Sequence, residues 1–348
     1  MIESNSAKKR KTARKHTTAD KKEGEKVVEK KIRPSTLDEI VGRKKEKKAV
    51  NMMISSAKKR KEVIDHVLFY GPPGLGKTTF AMAIANEIGS SLRITSGPAI
   101  ERQGDLAAIL TNLKPSDVLF IDEIHRLSRS IEEILYPAME DRAIDIVMGK
   151  GPSAKTIRLN LEPFTLIGAT TQIGKISSPM RDRFGLIQRL DYFGEEDLAE
   201  ILNRAAKLWK VDLTEDGFEE IARRARGTAR VALRLLRRVR DYAESTEGSN
   251  VVTGEVAEKA LDLLGIDKLG LEEIDRKVLS VMYEHFSGGP VGLSTLAASV
   301  SEDVSTLSDV YEPFLMKCGL IKRTSRGRVL TESGLIRAQE ALGLPTFA

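Results

Sequence analysis

The sequence is poor in the residue types on which disulfide-linked, zinc-binding and membrane-spanning proteins depend. Its single cysteine, Cys318, excludes an intrachain disulfide framework and fits a reducing compartment. Its four histidines are scattered and give no zinc-ligand spacing. It has no run of about 18 apolar residues that could span a membrane, and its N-terminus lacks the apolar segment of a secretory signal. We therefore expect a soluble intracellular protein.

Length and charge divide the chain into parts. Its 348 residues are too many for one ordinary core, so we expect two or three domains. The formal net charge of +6 comes entirely from residues 1–31, which hold eleven basic and five acidic residues. This stretch has little to bury and is predicted to be a disordered basic tail. It is either solvated or in nonspecific contact with nucleic acid.

Residues 32–193 alternate short apolar runs with helical patterns. A helix start is predicted at 35–39, and further helices at 44–61 and 78–88. Buried strands are predicted at 67–70, 117–123 and 164–171. Strands that alternate with helices indicate an α/β fold with a parallel sheet and helices on both faces.

The remaining residues have a different pattern. Residues 194–265 read as helical throughout, without strand-like runs, and predict a small helical domain. In residues 268–348, helical segments lead to GLIKRTSRGRVLTESG, two strand-like pieces around a basic turn. Helices followed by such a hairpin are typical of a winged-helix domain.

A phosphate-binding loop is the most specific motif. The string GPPGLGKT at 71–78 follows a predicted strand and precedes a predicted helix, which is the context that the motif needs. Its backbone N–H groups and the helix N-terminus favour phosphate oxygens. Lys77 is expected to reach the β- and γ-phosphates, and the Thr78 hydroxyl to bind Mg²⁺. The glycines of the loop are Gly71, Gly74 and Gly76.

Acidic and hydroxyl residues end the two other predicted strands. In LFIDEIHRL, Asp122 is expected to hold Mg²⁺ and Glu123 to polarise the water that attacks the γ-phosphate. Thr170 and Thr171, in GATT, are expected to face the γ-phosphate. Without the phosphate loop, adjacent acids could cap the next helix, and threonines at strand ends are common.

The string SSPMRDRFG places Arg181 and Arg183 two residues apart, with Asp182 as the one acid between them. Two cations this close repel each other unless an anion faces them. Either the segment is a salt-bridged surface turn, or the arginines meet an anionic ligand.

These motifs together resemble one family. GPPGLGKTT, DVLFIDEIHRL, YPAMED, RDRFG and RLLRRVRD, with GGPVGL, YEPFL and KRTSRGR in the last third, look like the RuvB family of bacterial Holliday-junction branch-migration ATPases, of the AAA+ class. The resemblance covers about residues 32–335. It implies a cytoplasmic homo-hexamer that uses ATP and Mg²⁺ to pull duplex DNA through its ring in recombination and repair. RuvA and RuvC are the implied protein partners.

The resemblance also implies roles for single residues. Arg183 matches an arginine finger that reaches the ATP of the neighbouring subunit, and Arg181 lies beside it. Thr170 and Thr171 match the first sensor, and Arg230 matches a second sensor on the helical lid, although Ala229 stands where a proline is usual. The other implied nucleotide contacts are Ile32, Arg33, Thr79, Asp141, Arg142, Ala143 and Phe193.

Two further surfaces are predicted. The wing string KCGLIKRTSRGR contains five cations and no acid, so Arg323, Arg326 and Arg328 are expected to contact DNA phosphates without reading bases. The alternative is an ordinary basic turn. A hairpin at 145–161 is implied to bind RuvA through Ile157 and Leu159, and the alternative is a sheet extension with an internal apolar face.

Two other functions fit parts of the pattern. A clamp loader or protein unfoldase shares the phosphate loop, but an unfoldase needs an aromatic pore loop, and RITSGPAIERQGDLAAIL contains no aromatic residue. A nucleotide-switched winged-helix regulator would not need turnover, whereas Glu123 and Arg183 indicate turnover. The arginine-rich stretch at 234–240 is interpreted as lid structure and subunit contact.

Overall fold

The computed structural model describes residues 32–148 and 155–345. The predicted basic tail, the tip of the predicted hairpin and the last three residues lie outside the described residues. No helix in the described ranges is long and apolar enough to cross a membrane.

The secondary structure falls into three groups along the chain. The first group has helices α1 (Lys44–Arg60), α2 (Lys77–Ile88), α3 (Gln103–Thr111), α4 (Arg129–Glu140) and α5 (Ser178–Asp182). Its strands are β1 (Val67–Tyr70), β2 (Leu92–Ser96), β3 (Val118–Asp122), β4 (Ala143–Met148), β5 (Lys155–Asn160), β6 (Thr165–Thr170) and β7 (Leu186–Arg189). The second group has α6 (Glu195–Trp209), β8 (Asp212–Leu213), α7 (Glu215–Arg224), α8 (Ala229–Tyr242), β9 (Val251–Val252) and α9 (Gly254–Leu263). The third has α10 (Glu273–Phe286), α11 (Leu293–Val300), α12 (Val304–Thr306), α13 (Glu312–Lys317), β10 (Ile321–Thr324), β11 (Gly327–Leu330) and α14 (Glu332–Ala341).

The first group forms a five-stranded parallel sheet in the order β2-β3-β6-β1-β7. The three central strands are the predicted ones, and nearly all their residues are buried because helices cover both faces. The edge strands β2 and β7 were not predicted. Their residues are a mixture of half-buried and exposed, and polar residues interrupt the apolar ones, so neither gives a continuous apolar run.

The predicted helix start at 35–39 is wrong. These residues form a tight turn, in which the Glu39 carboxylate accepts a hydrogen bond from the Ser35 backbone N–H at 2.6 Å. The segment lies between Pro34 and Gly42, and so few residues cannot repay the cost of starting a helix. The helix begins at Lys44, after Gly42 and Arg43 take up left-handed conformations.

Each group has its own apolar core. The sheet has one core on each face, the second group packs around Leu202 and Leu236, and the third packs around Leu279 and Leu315. The second group is mainly helical, but the expectation of no strands was wrong. β8 and β9 form a two-residue parallel pair. In the third group, α10 and the following helices precede the β10–β11 hairpin, as a winged helix requires.

β4 and β5 form the predicted hairpin between β3 and β6. They pair antiparallel, with Ile144 opposite Leu159 and Ile146 opposite Ile157. Leu159 packs against the core of the sheet, whereas 43% of Ile157 is exposed. The apolar face of the hairpin is therefore internal at its base and exposed further out.

Candidate functional site

The loop between β1 and α2 has the backbone shape that surrounds an anion. Gly74 and Gly76 have φ angles of +80° and +93°, which favour glycine. A side chain at Gly71 would clash with the Leu190 carbonyl oxygen. α2 begins at Lys77, so its free N–H groups and positive dipole end face the same space.

Lys77 is buried inside this loop. Its Nζ donates hydrogen bonds to the carbonyl oxygens of Gly71 at 2.8 Å and Pro72 at 2.9 Å. Burial lowers the pKa of Lys77 to about 8, against the opposing charges of Glu123 and Asp122. Because both acceptors are neutral carbonyl oxygens, the positive charge of the ammonium remains available to an anion.

Asp122 ends β3, and Glu123 follows it in a left-handed conformation with φ of 50°. That conformation is uncommon for glutamate and marks strain at the position where the chain leaves the sheet. The Thr171 hydroxyl donates to Glu123 Oε2 at 3.3 Å, and His125 Nδ1 lies 3.2 Å from the same oxygen. Neighbours therefore fix the direction of the Glu123 carboxylate.

Thr170 differs from the expectation that its hydroxyl faces a phosphate. The residue is fully buried, and its Oγ1 lies 2.9 Å from His125 Nδ1. The same oxygen accepts a hydrogen bond from the Gln172 backbone N–H at 2.9 Å. Thr170 therefore supports His125 behind Glu123, and Thr171 is the threonine that reaches the carboxylate.

A cleft of about 460 Å³ lies between the sheet and the helical second group. The predicted residues that line it are Ile32, Arg33, Gly74, Gly76, Lys77, Thr78, Thr79, Asp122, Glu123 and Arg230. The hydroxyl of Thr78 and the carboxylate of Asp122 are the hard oxygen ligands that Mg²⁺ prefers. The residues present thus fit a magnesium–nucleotide complex.

An apolar pocket of about 110 Å³ adjoins the cleft beside Gly76 and Thr79. Ile32 and Phe193 line it, together with Leu75, Phe80 and Leu233. Phe193 packs with the cores of both the sheet and the second group, and the Arg43 guanidinium lies 4.2 Å from its ring centroid. A flat apolar group such as a nucleotide base fits this pocket.

Residues that the sequence reasoning missed line the outer wall of the cleft. They are Trp209, Leu233, Arg234 and Arg237. Arg230, Arg234 and Arg237 follow one another at spacings of four and three residues, so they share a face of α8. This spacing is visible in the sequence. Because Arg230 was already expected at the nucleotide, it indicates that Arg234 and Arg237 lie on the same side of the helix.

Arg183 and the segment 141–143 are predicted nucleotide contacts, but they lie away from the cleft of their own chain. Arg183 NH2 pairs with Glu140 Oε2 at 3.0 Å, and its guanidinium stacks 4.7 Å from the centre of the Tyr136 ring. Arg183 therefore has an acidic partner in its own chain, although Asp182 is the one acid within the local string. Asp141, Arg142 and Ala143 directly follow Glu140. Asp141 and Arg142 are exposed, whereas Ala143 is buried, so Arg183, Asp141 and Arg142 lie on a separate surface.

Arg181 lies in α5, which ends one residue before Arg183, and its NH1 donates to the Ile173 carbonyl oxygen at 3.4 Å. It is half-buried beside the loop that follows β6.

Two wing arginines have an acidic partner that lies outside the wing string. Glu312, at the start of α13, is 2% exposed and accepts hydrogen bonds from Arg323 at 2.7 Å and Arg328 at 2.8 Å. Burial would raise the pKa of Glu312, but the two guanidinium groups hold it below its ordinary value. The basic hairpin therefore does have an acid. Arg326 is exposed at the turn between the strands.

The first group has a parallel sheet, a phosphate loop and acidic residues at the end of β3, and a helical lid and a winged helix follow it. These features define a P-loop ATPase of the AAA+ class that carries a winged-helix domain, a type of domain that often binds DNA. Three family models match in series. The model described as the Holliday junction DNA helicase RuvB P-loop domain matches 32–190, the RuvB AAA lid domain matches 193–267, and the RuvB C-terminal winged helix domain matches 268–337. The chain belongs to the RuvB family.

Solved structures agree with this assignment. The chain is similar to the Thermotoga maritima RuvB Holliday junction branch migration motor, with 45% identity and a TM-score of 0.81 over 91% of this chain and 99% of that one. Two substituted forms of Thermotoga maritima RuvB each match at 46% identity and a TM-score of 0.82. They cover 91% and 90% of this chain, and 99% and 100% of their own.

Proposed function

We propose that this chain is an ATP-driven motor that moves duplex DNA and promotes branch migration of Holliday junctions. The observation that carries the proposal is the cleft, where Lys77, Asp122 and Glu123 meet the lid residue Arg230. A lid that closes on the nucleotide can convert binding and hydrolysis into domain movement.

The residues of the cleft have separate tasks in hydrolysis. ATP supplies the phosphoryl group, and Thr78 and Asp122 would hold its Mg²⁺. Lys77 binds the β- and γ-phosphates in place of the carbonyl oxygens that it now contacts. Glu123 accepts the proton of the attacking water, and Thr171 and His125 hold its carboxylate in position. Ile32, Arg33 and Phe193 bind the base and sugar.

Arg183 acts on the neighbouring subunit in a homo-hexameric ring. Because Arg183 and the exposed residues Asp141 and Arg142 do not line the cleft of their own chain, a second subunit is needed to bring them to an ATP molecule. The Glu140–Arg183 pair keeps the guanidinium ordered in the free subunit. In the ring, Arg183 stabilises the charge that develops on the γ-phosphate.

The other two surfaces bind DNA and protein. Arg323 and Arg326 face solvent on the wing and suit a duplex backbone, while Arg328 is more enclosed. The exposed Ile157 suits the partner protein RuvA, in a complex with RuvC that acts in recombination and repair in the bacterial cytoplasm.

A branch-migration assay with a synthetic four-way junction tests the proposal. The chain with RuvA and ATP should separate the junction into two duplexes, and DNA should stimulate its ATPase activity. Glu123→Gln should still bind nucleotide but fail in both assays. Nucleotide-dependent DNA binding without junction processing would instead support a winged-helix regulator.

A further inference from the structure

A hydrogen bond joins the sheet domain to the winged-helix domain beside the proposed catalytic site. The side-chain N–H of Gln172 donates to Asp309 Oδ2 at 2.6 Å, although the two residues are 137 positions apart in the sequence. Both residues are half-buried. An amide bound to a carboxylate is a charge-assisted hydrogen bond, which is stronger than a neutral one.

On the sheet side, a series of polar contacts connects Gln172 to Glu123. The Gln172 backbone N–H donates to Thr170 Oγ1 at 2.9 Å, and that oxygen lies 2.9 Å from His125 Nδ1. The same His125 nitrogen lies 3.2 Å from Glu123 Oε2. A change in the Glu123 carboxylate when nucleotide binds or is hydrolysed can therefore alter the position of Gln172.

On the winged-helix side, a short helical segment connects Asp309 to the residue that binds the wing arginines. Asp309 lies in the π-helical turn Leu307–Tyr311, which runs directly into α13. The first residue of α13 is Glu312, which binds both Arg323 and Arg328. Three positions thus separate the carboxylate that contacts the sheet domain from the carboxylate that holds the wing arginines.

The winged-helix domain is attached to the lid in a different way. Arg226 is buried and donates to Asp275 Oδ2 at 2.5 Å and to the Gly270 carbonyl oxygen at 2.9 Å. Its guanidinium also stacks 4.6 Å from the centroid of the Phe314 ring. Breaking these contacts would leave buried charges unpaired, which is costly. The half-buried Gln172–Asp309 bond can open at a smaller cost, because water can replace it.

We propose that the Gln172–Asp309 contact couples the nucleotide state of the cleft to DNA binding by the wing of the same subunit. Gln172 and Asp309 act as positioning residues: they touch neither nucleotide nor DNA. The lid and winged helix move together, and the contact forms or breaks as Glu123 and its neighbours respond to the γ-phosphate. This inference rests on the proposed function, because it requires the chain to bind both ligands.

The coupling is measurable as a ratio of affinities. The affinity for a fixed duplex is measured with a non-hydrolysable ATP analogue and with ADP, on the full-length chain. Gln172→Ala and Asp309→Ala should each bring the ratio of the two affinities closer to one, by about 2- to 30-fold. Because coupling is reciprocal, the effect of DNA on analogue binding should shrink by the same factor. ATPase activity without DNA should be unchanged.

Conservative variants separate coupling from folding. Asp309→Asn keeps a neutral acceptor and should retain part of the wild-type coupling, whereas Gln172→Arg supplies a charged donor and should retain the wild-type ratio. Gln339→Ala is the matched control, because Gln339 donates to the Tyr283 hydroxyl within the winged-helix domain. A wild-type ratio in both alanine variants would overturn the inference alone. If the DNA affinity of the wild-type chain does not depend on nucleotide, and its ATPase activity is not stimulated by DNA, the proposed function itself is overturned.

Discussion

Lys77 illustrates how burial sets the chemistry of a single side chain. Burial lowers the pKa of its ammonium group to about 8 in the absence of nucleotide. A base with a lowered pKa binds fewer protons when folded than when unfolded between pH 8 and its ordinary value near 10.5. The contribution of Lys77 to the free energy of unfolding therefore rises with pH across this window.

Nucleotide binding should show the opposite dependence on pH. Phosphate favours the charged ammonium, so binding above pH 8 must take up a proton, and affinity should fall up to about tenfold per pH unit. Above pH 8 we expect net uptake of protons on binding, measured by calorimetry in buffers of different ionisation enthalpy. Trp209 lines the cleft and is the only tryptophan, so its fluorescence reports binding independently. Lys77→Arg stays charged, and its remaining affinity should be insensitive to pH. Equal slopes in both proteins would exclude Lys77 as the titrating group.

Residue partners were the least predictable part of the site. The motifs correctly identified Lys77, Asp122 and Glu123 as neighbours, because strand ends of a parallel sheet meet at one edge. The acids that contact Arg183 and Arg328 lie 43 and 16 residues away along the chain. A search for acids within the local string could not find them, since only the fold brings them close.

At the scale of elements, Ile157 and Leu159 of the β4–β5 hairpin differ in burial, although the sequence analysis gave both the same role. Ile157→Ala should abolish RuvA binding while changing the free energy of unfolding by less than about 0.5 kcal/mol, because the side chain is exposed. Leu159→Ala should cost about 2 kcal/mol of stability, because Leu159 packs on the core. Titration calorimetry with RuvA and urea unfolding of each variant provide the check. If Ile157→Ala binds RuvA normally, the hairpin is an ordinary extension of the sheet.

The wing arginines should also differ in their contribution to DNA binding, because they differ in exposure. Arg323 is 53% exposed and Arg328 is 18% exposed, and both contact Glu312. Arg323→Ala should weaken duplex binding for all sequences and reduce the slope of log affinity against log salt by about 1. Arg328→Ala should destabilise the domain by about 1–3 kcal/mol with little change in slope, because it removes a partner of the buried Glu312 carboxylate from an enclosed position. Arg323→Ala also removes a partner of Glu312, so it should lower the stability as well as the slope. Arg326→Ala is the control for an exposed wing cation and should change the slope alone. Equal changes of slope in Arg323→Ala and Arg328→Ala would contradict this division.

Elements were predictable where their burial was uniform. β1, β3 and β6 are apolar throughout because they occupy the centre of the sheet, and their patterns identified them. LRITS and LIQR at the two edges mix polar and apolar residues, so β2 and β7 went unrecognised. The turn at 35–39 has helix-capping residues but too little length for a helix.

At the scale of the whole molecule, the central claim is that the cleft is completed by Arg183 of a neighbouring subunit. One chain supplies the phosphate loop, Glu123 and Arg230 to its own cleft, but its Arg183 lies on another surface beside Glu140. Removal of an arginine finger lowers hydrolysis by about 10³–10⁵. Arg183→Ala should therefore lose turnover and still bind ATP.

A subunit-mixing experiment tests this claim most directly. Arg183→Ala and Lys77→Ala chains are mixed, and ATPase activity is measured with duplex DNA present. Each variant should be inactive alone, but roughly one quarter of interfaces in randomly mixed rings join an intact cleft to an intact Arg183, so activity should return. A mixture of Lys77→Ala with Glu123→Gln is the control, because no interface then has an intact cleft, and it should stay inactive. Full activity of Arg183→Ala on its own, or no recovery in a mixture shown to form mixed rings, would contradict a shared site.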